Sequence, residues 1–109
     1  EIEASLKKYD AESCLLYYDK EGNRIPLSKW CALFETTDYK IVAKDNLPNG
    51  YLVSTVWLGL DQSFGIGARI IFETMVFKGD ACNLDMDRYS TQEKAIAGHA
   101  LMVQKWKNK

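Results

Sequence analysis

The densest apolar stretch of the chain runs from Tyr51 to Phe77, YLVSTVWLGLDQSFGIGARIIFETMVF. Its composition and bounding turn residues predict two β-strands, at 51–60 and 70–77, joined by a glycine-containing loop. In the first strand Leu52, Val56, Leu58 and Leu60 share a face with Ser54, and Tyr51, Val53, Thr55 and Trp57 share the other. Neither face is plainly polar, so the strand is expected at the centre of a sheet, covered at least partly on both sides. In the second strand Phe72, Thr74 and Val76 point one way, and Ile71, Glu73, Met75 and Phe77 the other.

Upstream the pattern is weaker. Ile2, Leu6 and Tyr9 allow a short amphipathic helix, and residues 14–18 (CLLYY) form a β-rich run that stops at the turn residues Asp19 to Asn23. Arg24-Ile25-Pro26 reads as a short return strand limited by proline. Ser28 is placed as the N-cap of a short helix over 28–36, and Tyr39 to Lys44 as a half-solvated strand. NLPNG, at 46–50, is a turn. Downstream, residues 78–87 (KGDACNLDMD) read as a polar connection. Ser90-Thr91-Gln92-Glu93 then forms a capping box, with Ser90 as N-cap, opening a long C-terminal helix. At 100° per residue its apolar arc holds Ala95, Ile96, His99, Ala100, Met102, Val103 and Trp106. Gly98, which costs about 1 kcal/mol relative to Ala in a helix interior, predicts that something packs closely there. The resulting expectation is one α+β domain over residues 1–109. Its core is a mainly antiparallel sheet of three to five strands, on which the C-terminal helix and one short helix pack.

Composition adds limits. Apolar residues make up 47% of the 109, charged residues 27%, and the formal net charge is −1. These are globular values, and they give no reason to expect nucleic acid as a partner. No apolar run reaches the roughly 18 residues of a membrane span, and the start lacks a signal-peptide pattern. The cysteines, Cys14, Cys31 and Cys82, are odd in number and have no CxxC spacing. A disulfide framework is therefore not expected; a reducing cytoplasm and core cysteines are.

Candidate chemistry is sparse. Glu73 lies mid-strand between Ile71 and Met75, where burial would make it a general acid or an ion partner; the plainer reading is a solvent-facing Glu paired with Arg69 or a Lys. His99 is the only histidine and falls inside the helix arc. It is read first as a core residue bonded to backbone, Asp61 or Glu73, because no metal-ligand or catalytic partner stands at a suitable spacing. Asp80, Asp85 and Asp87 do not form a calcium loop, and Gly65-Ile66-Gly67 does not form a phosphate loop. No metal or cofactor is expected. Phe64, near the loop tip, is either folded back or offered to a partner.

The blocks VSTVWLGLDQSFG, IFETMVF and RYSTQEKAIAGHALMVQKW resemble a family of small uncharacterised bacteriophage and prophage proteins, across roughly residues 53–106. The resemblance implies phage origin and life in the host cytoplasm, and it transfers no catalytic residue. The preferred reading is a non-enzymatic module that binds a host or phage protein, an inhibitor of bacterial defence being one form. Trp57, Asp61, Phe64, Arg69 and Glu73 are its expected contact residues. A homodimer is expected to hide the second apolar face of the sheet. The alternatives are a small enzyme or small-molecule binder with Glu73, Asp61 and His99 in one pocket, and a virion or assembly component.

Overall fold

The computed structural model describes residues 17–61, 63 and 68–109. The segment around Ile2, Leu6 and Tyr9, residues 14–16, Phe64 and the Gly65-Ile66-Gly67 stretch lie outside the described residues. Tyr17–Tyr18 (β1) and Arg24–Ile25 (β2) pair antiparallel across the Asp19–Asn23 turn. Asp19 closes that turn by accepting the Asn23 amide at 2.8 Å. Helices Leu27–Phe34 (α1) and Thr37–Lys40 (α2) follow. Strands Ile41–Asn46 (β3), Leu52–Trp57 (β4), Phe72–Lys78 (β5) and Ala81–Tyr89 (β6) form an antiparallel sheet in sequence order, and helix Gln92–Trp106 (α3) ends the chain. The expected α+β class, with helices on an antiparallel sheet, is what is found.

Several boundaries differ from expectation for local reasons. Helix α1 starts at Leu27, after an extended Pro26 and with no side-chain cap, so Ser28 already lies inside the first turn. Tyr39 and Lys40 belong to α2, and the strand begins at Ile41. A bulge between Ile41 and Ala43 then breaks the simple alternation. Thr91, not Ser90, caps α3: its hydroxyl accepts the Lys94 amide at 3.1 Å. The largest difference is residues 81–89, which form the longest strand of the sheet instead of a connection. As an edge strand β6 has little to bury, so its sequence is polar. The amides of Met86 and Arg88 donate to the carboxylates of Asp85 and Asp87, each at 2.9 Å. These alternate amides, bonded to side chains and not to the ladder, are those a free edge turns outward.

Buried positions on β4 and β5 alternate strictly. Val53, Thr55 and Trp57 pair in register with Val76, Thr74 and Phe72, and all six are fully buried. They form the inner face. At one end of it Trp57 anchors an aromatic cluster with Tyr39 and Phe34 and donates its indole N–H to the Tyr18 carbonyl at 2.8 Å. Trp30 reaches the same corner and donates to the Leu58 carbonyl at 2.9 Å. Gly59, at φ +74°, ends the strand there. The positive φ takes the chain out of the strand before residue 60, where β4 was expected to run, and a Cβ here would sit 2.4 Å from Trp57 and 2.6 Å from Trp30, so only glycine fits. At the other end Val53, Val76 and Met102 pack with Tyr51, Leu47, Val103 and Trp106.

Helix α3 crosses this inner face and touches all four strands. It buries Ala95, His99 and Met102, while Ile96 is 53% exposed and Ala100 also faces solvent, so the arc is narrower than its periodicity suggests. Gly98 sets the rotation: a Cβ there would lie 2.1 Å from the Tyr89 ring. The close approach read from that glycine is present. Ala substitution at an unconstrained helical glycine stabilises by about 1 kcal/mol. Here Gly98→Ala should instead destabilise, by about 1–3 kcal/mol, because the helix must lift from Tyr89. Urea unfolding of the variant reads the sign directly.

Candidate functional site

The polar residues on the inner face form one connected chain. Thr55 and Thr74 are cross-strand partners whose hydroxyl oxygens stand 2.5 Å apart. His99 drops from α3 so that Nδ1 lies 2.7 Å from Thr55 Oγ1, and its Nε2 lies 2.6 Å from Asp45 Oδ2 on β3. A carboxylate only accepts, so Nε2–H donates to Asp45. With the ring neutral, Nδ1 accepts the Thr55 hydroxyl and Thr55 accepts that of Thr74, an assignment that follows from the bonding pattern. The Tyr89 hydroxyl is buried beyond Thr74 without a partner in bonding geometry, and burial holds its pKa above the ordinary phenol value.

This arrangement brings together a carboxylate, an imidazole and a hydroxyl, the parts of a nucleophilic triad. The hydroxyl end is closed, however. Thr55 and Thr74 are fully buried, so neither oxygen can meet a substrate, and the chain meets solvent only at Asp45, whose side chain is 55% exposed. Its effect is mechanical: it ties α3 to β3, β4 and β5. His99 is thus the core histidine expected, with partners other than those expected. Neither Asp61 nor Glu73 reaches it.

Glu73 lies on the opposite, outer face. It faces Arg88 in register on β6, and Arg88 Nε donates to Glu73 Oε2 at 3.0 Å. The pair is a structural cross-strand ion pair, with Arg88 in place of the expected Arg69. Glu73 and His99 are therefore separated by the sheet, and the pocket that would unite them with Asp61 is not formed. Asp61 closes a local loop, accepting the amides of Ser63 and Ile70, each at 2.9 Å. Partial burial pushes its pKa up, but those bonds, the Ser63 hydroxyl and nearby Arg69 outweigh it and leave the carboxyl below its ordinary range. Arg69 stacks over Tyr18 at 4.5 Å, donates to the Gly22 carbonyl at 2.9 Å and lines a cleft of about 470 Å³ beside Lys20 and the start of α3. Trp57, expected at an interface, is wholly internal. Cys31 and Cys82, expected in the core, are exposed thiols.

What remains is the outer face of the sheet, and sequence reading took it to be covered. Register places Leu52, Ser54 and Val56 of β4 beside Phe77, Met75 and Glu73 of β5. Met86 and Arg88 of β6 flank them on one side, and Lys44 and Asn46 of β3 on the other. Every outer-face residue of β4 and β5 keeps part of its surface, and Leu84 and Met86 are 42% and 40% exposed. Leu52, Val56, Met75 and Phe77 join neither apolar core cluster. Among the described residues no helix lies over this face, since α3, Tyr39 and Phe34 all meet the inner one. The signal for it was present as the apolar set Leu52, Val56, Met75 and Phe77; only the choice of covered face was undetermined.

No family model matches the chain, and neither a curated protein nor a solved structure is found to be similar to it. Among the described residues no group of three His, Cys, Asp or Glu could hold a metal ion, and no helix is long and apolar enough to cross a membrane.

Two outcomes test the buried chain and the contact of Asp85 with the C-terminal end of α3. Thr55→Val strands both His99 Nδ1 and Thr74 and should cost about 2 kcal/mol, whereas Asp45→Ala, at the wet end, should cost under about 1 kcal/mol. Equal losses in chemical denaturation would contradict this layout. Asp85 accepts from Lys105 at 2.6 Å and from the Trp106 indole at 2.8 Å, which lowers its pKa below 3.8. A lowered folded pKa means stability that is present above about pH 4 and lost as pH falls through the folded value. Asp85→Asn should flatten the acid limb of a stability–pH curve below about pH 4 and leave its neutral-to-alkaline shape unchanged.

Proposed function

We propose that the protein is a non-enzymatic protein-docking module whose contact surface is the outer face of its sheet. One observation carries the reading. Leu52, Val56, Met75, Phe77, Leu84 and Met86 form a continuous apolar pad that no described element covers. An apolar surface of that extent on a folded chain marks an interaction site more often than chance packing. The docking mode proposed is the face; on β6 the amides of Met86 and Arg88 are already occupied by Asp85 and Asp87. The expected contact residues shift accordingly. Trp57 leaves the set, Asp61 and Arg69 serve loop and turn, and Glu73 stays as part of the ion pair at the margin.

The resemblance to bacteriophage and prophage proteins supplies the setting of this proposal: a host cytoplasm and a host or phage protein as the object of binding. An enzymatic reading gains no comparable support, because the inner-face hydroxyls are sealed and the three polar candidates stay apart.

A docking face and a core face respond oppositely to charge. Met75→Lys at the pad centre should change stability by less than about 1 kcal/mol, as at other surface positions. A face packed within the folded chain would lose more than about 3 kcal/mol to a buried lysine. Urea unfolding at dilute protein separates the two, and the larger loss would end the docking reading.

A further inference from the structure

We propose that Tyr89 is the terminal acceptor of the buried hydroxyl chain, which reverses direction to let His99 take up a proton in the core while α3 stays seated. With the ring neutral, Nε2–H donates to Asp45, Nδ1 accepts from Thr55, and Thr55 accepts from Thr74. A proton taken from solvent has one place to bind on the ring, Nδ1, because Nε2 already carries a hydrogen. Nδ1–H then donates to Thr55, the Thr55 hydroxyl turns its hydrogen to Thr74, and Thr74 must donate in its turn. A threonine hydroxyl both donates and accepts, so each reversal is a rotation about one C–O bond, with the oxygens left where they stand. No covalent bond breaks, and one proton is gained at Nδ1.

The reversed chain needs one thing that the neutral chain does not, an acceptor beyond Thr74. Without it the Thr74 hydrogen is stranded among fully buried groups, the costly outcome for a buried donor. The Tyr89 oxygen stands there. It is buried and has no bonded partner in the neutral arrangement, so its lone pairs are free to receive. Burial raises the phenol's pKa and the adjacent Thr74 hydroxyl lowers it, which places the two groups within each other's reach. The groups facing the ring suit a positive charge. β3 presents Asp45 at 2.6 Å, and β4 and β5 present the two threonines. By register β6 presents Asp87 and Asp85 on this face with Tyr89, and Asp85 is paired with Lys105 of α3. Helix α3 itself flanks His99 with Ala95 and Met102. Carboxylates therefore outnumber ammonium groups around the ring, which favours its charged form.

Nitrogen NMR of the imidazole ring in the folded wild type locates the pH at which Nδ1 gains its proton. Urea unfolding about one pH unit above and about one below that point then compares the wild type with Tyr89→Phe. The wild type should keep its fold on both sides. Tyr89→Phe should match it on the alkaline side, where the chain does not use the phenol oxygen. On the acid side its folded-to-unfolded ratio should fall about tenfold further than the wild type's, the effect of one buried donor left without an acceptor. Other titrating groups are shared by the two proteins and cancel. A wild type that unfolds as Nδ1 is protonated, or whose Nδ1 stays unprotonated until acid unfolding, overturns the reversible chain. So does a Tyr89→Phe loss that is equal on both sides or absent from both. A Tyr89→Phe chain unable to fold on the alkaline side overturns it as well, because the neutral chain would then need the phenol oxygen.

Discussion

The seat of α3 on the sheet depends on two adjacent residues. Gly98 lets the helix axis come down onto the Tyr89 ring, and His99, one residue on, reaches Thr55 and Asp45 at 2.7 and 2.6 Å. The first contact is steric and sets distance; the second is polar and sets register along the strands. Neither suffices by itself, since a helix that slides on an apolar face loses little burial. Together they bring Ala95 and Met102 over the buried rows of β4 and β5. The far end is tied separately: Asn49, in the β3–β4 turn, donates to the Trp106 carbonyl at 2.8 Å, and the Trp106 indole donates to Asp85.

Because α3 is fastened to one side, no described helix lies over the other. The same strands that supply Val53, Thr55 and Trp57 inward supply Leu52, Ser54 and Val56 outward. Period-two alternation makes this division unavoidable. The face proposed for docking is thus set by where α3 is held, and the buried chain of hydroxyls and imidazole fixes that position.

Much of this was legible before any coordinates, and the failures have physical causes. The glycine at position 98 could be read because its cost in a helix demands a reason, and the Tyr89 contact is that reason. NLPNG could be read because turn chemistry is local, and Gly50 sits at φ +92° there. Strand β6 could not, because an edge strand buries almost nothing and its sequence carries no apolar rhythm beyond Leu84 and Met86. Trp57 misled because tryptophan is favoured in cores and at interfaces for the same amphipathic reasons. Glu73 was rightly suspected of an ion pair, but its partner stands 15 residues away across a turn, a pairing that only strand register reveals. Which face of β4 is covered is a tertiary fact, absent from any single strand's pattern.

The carboxylates of Asp85 and Asp87 have a consequence beyond their own strand. A sheet that could add strands at β6 would add them without limit, since each newcomer presents a fresh edge, and the product would be a fibre. With those two amides already engaged, the Met86–Arg88 stretch offers an added strand no free donor. The two carboxylates thus guard this stretch of the edge from within the strand's own sequence, each blocking the amide that follows it.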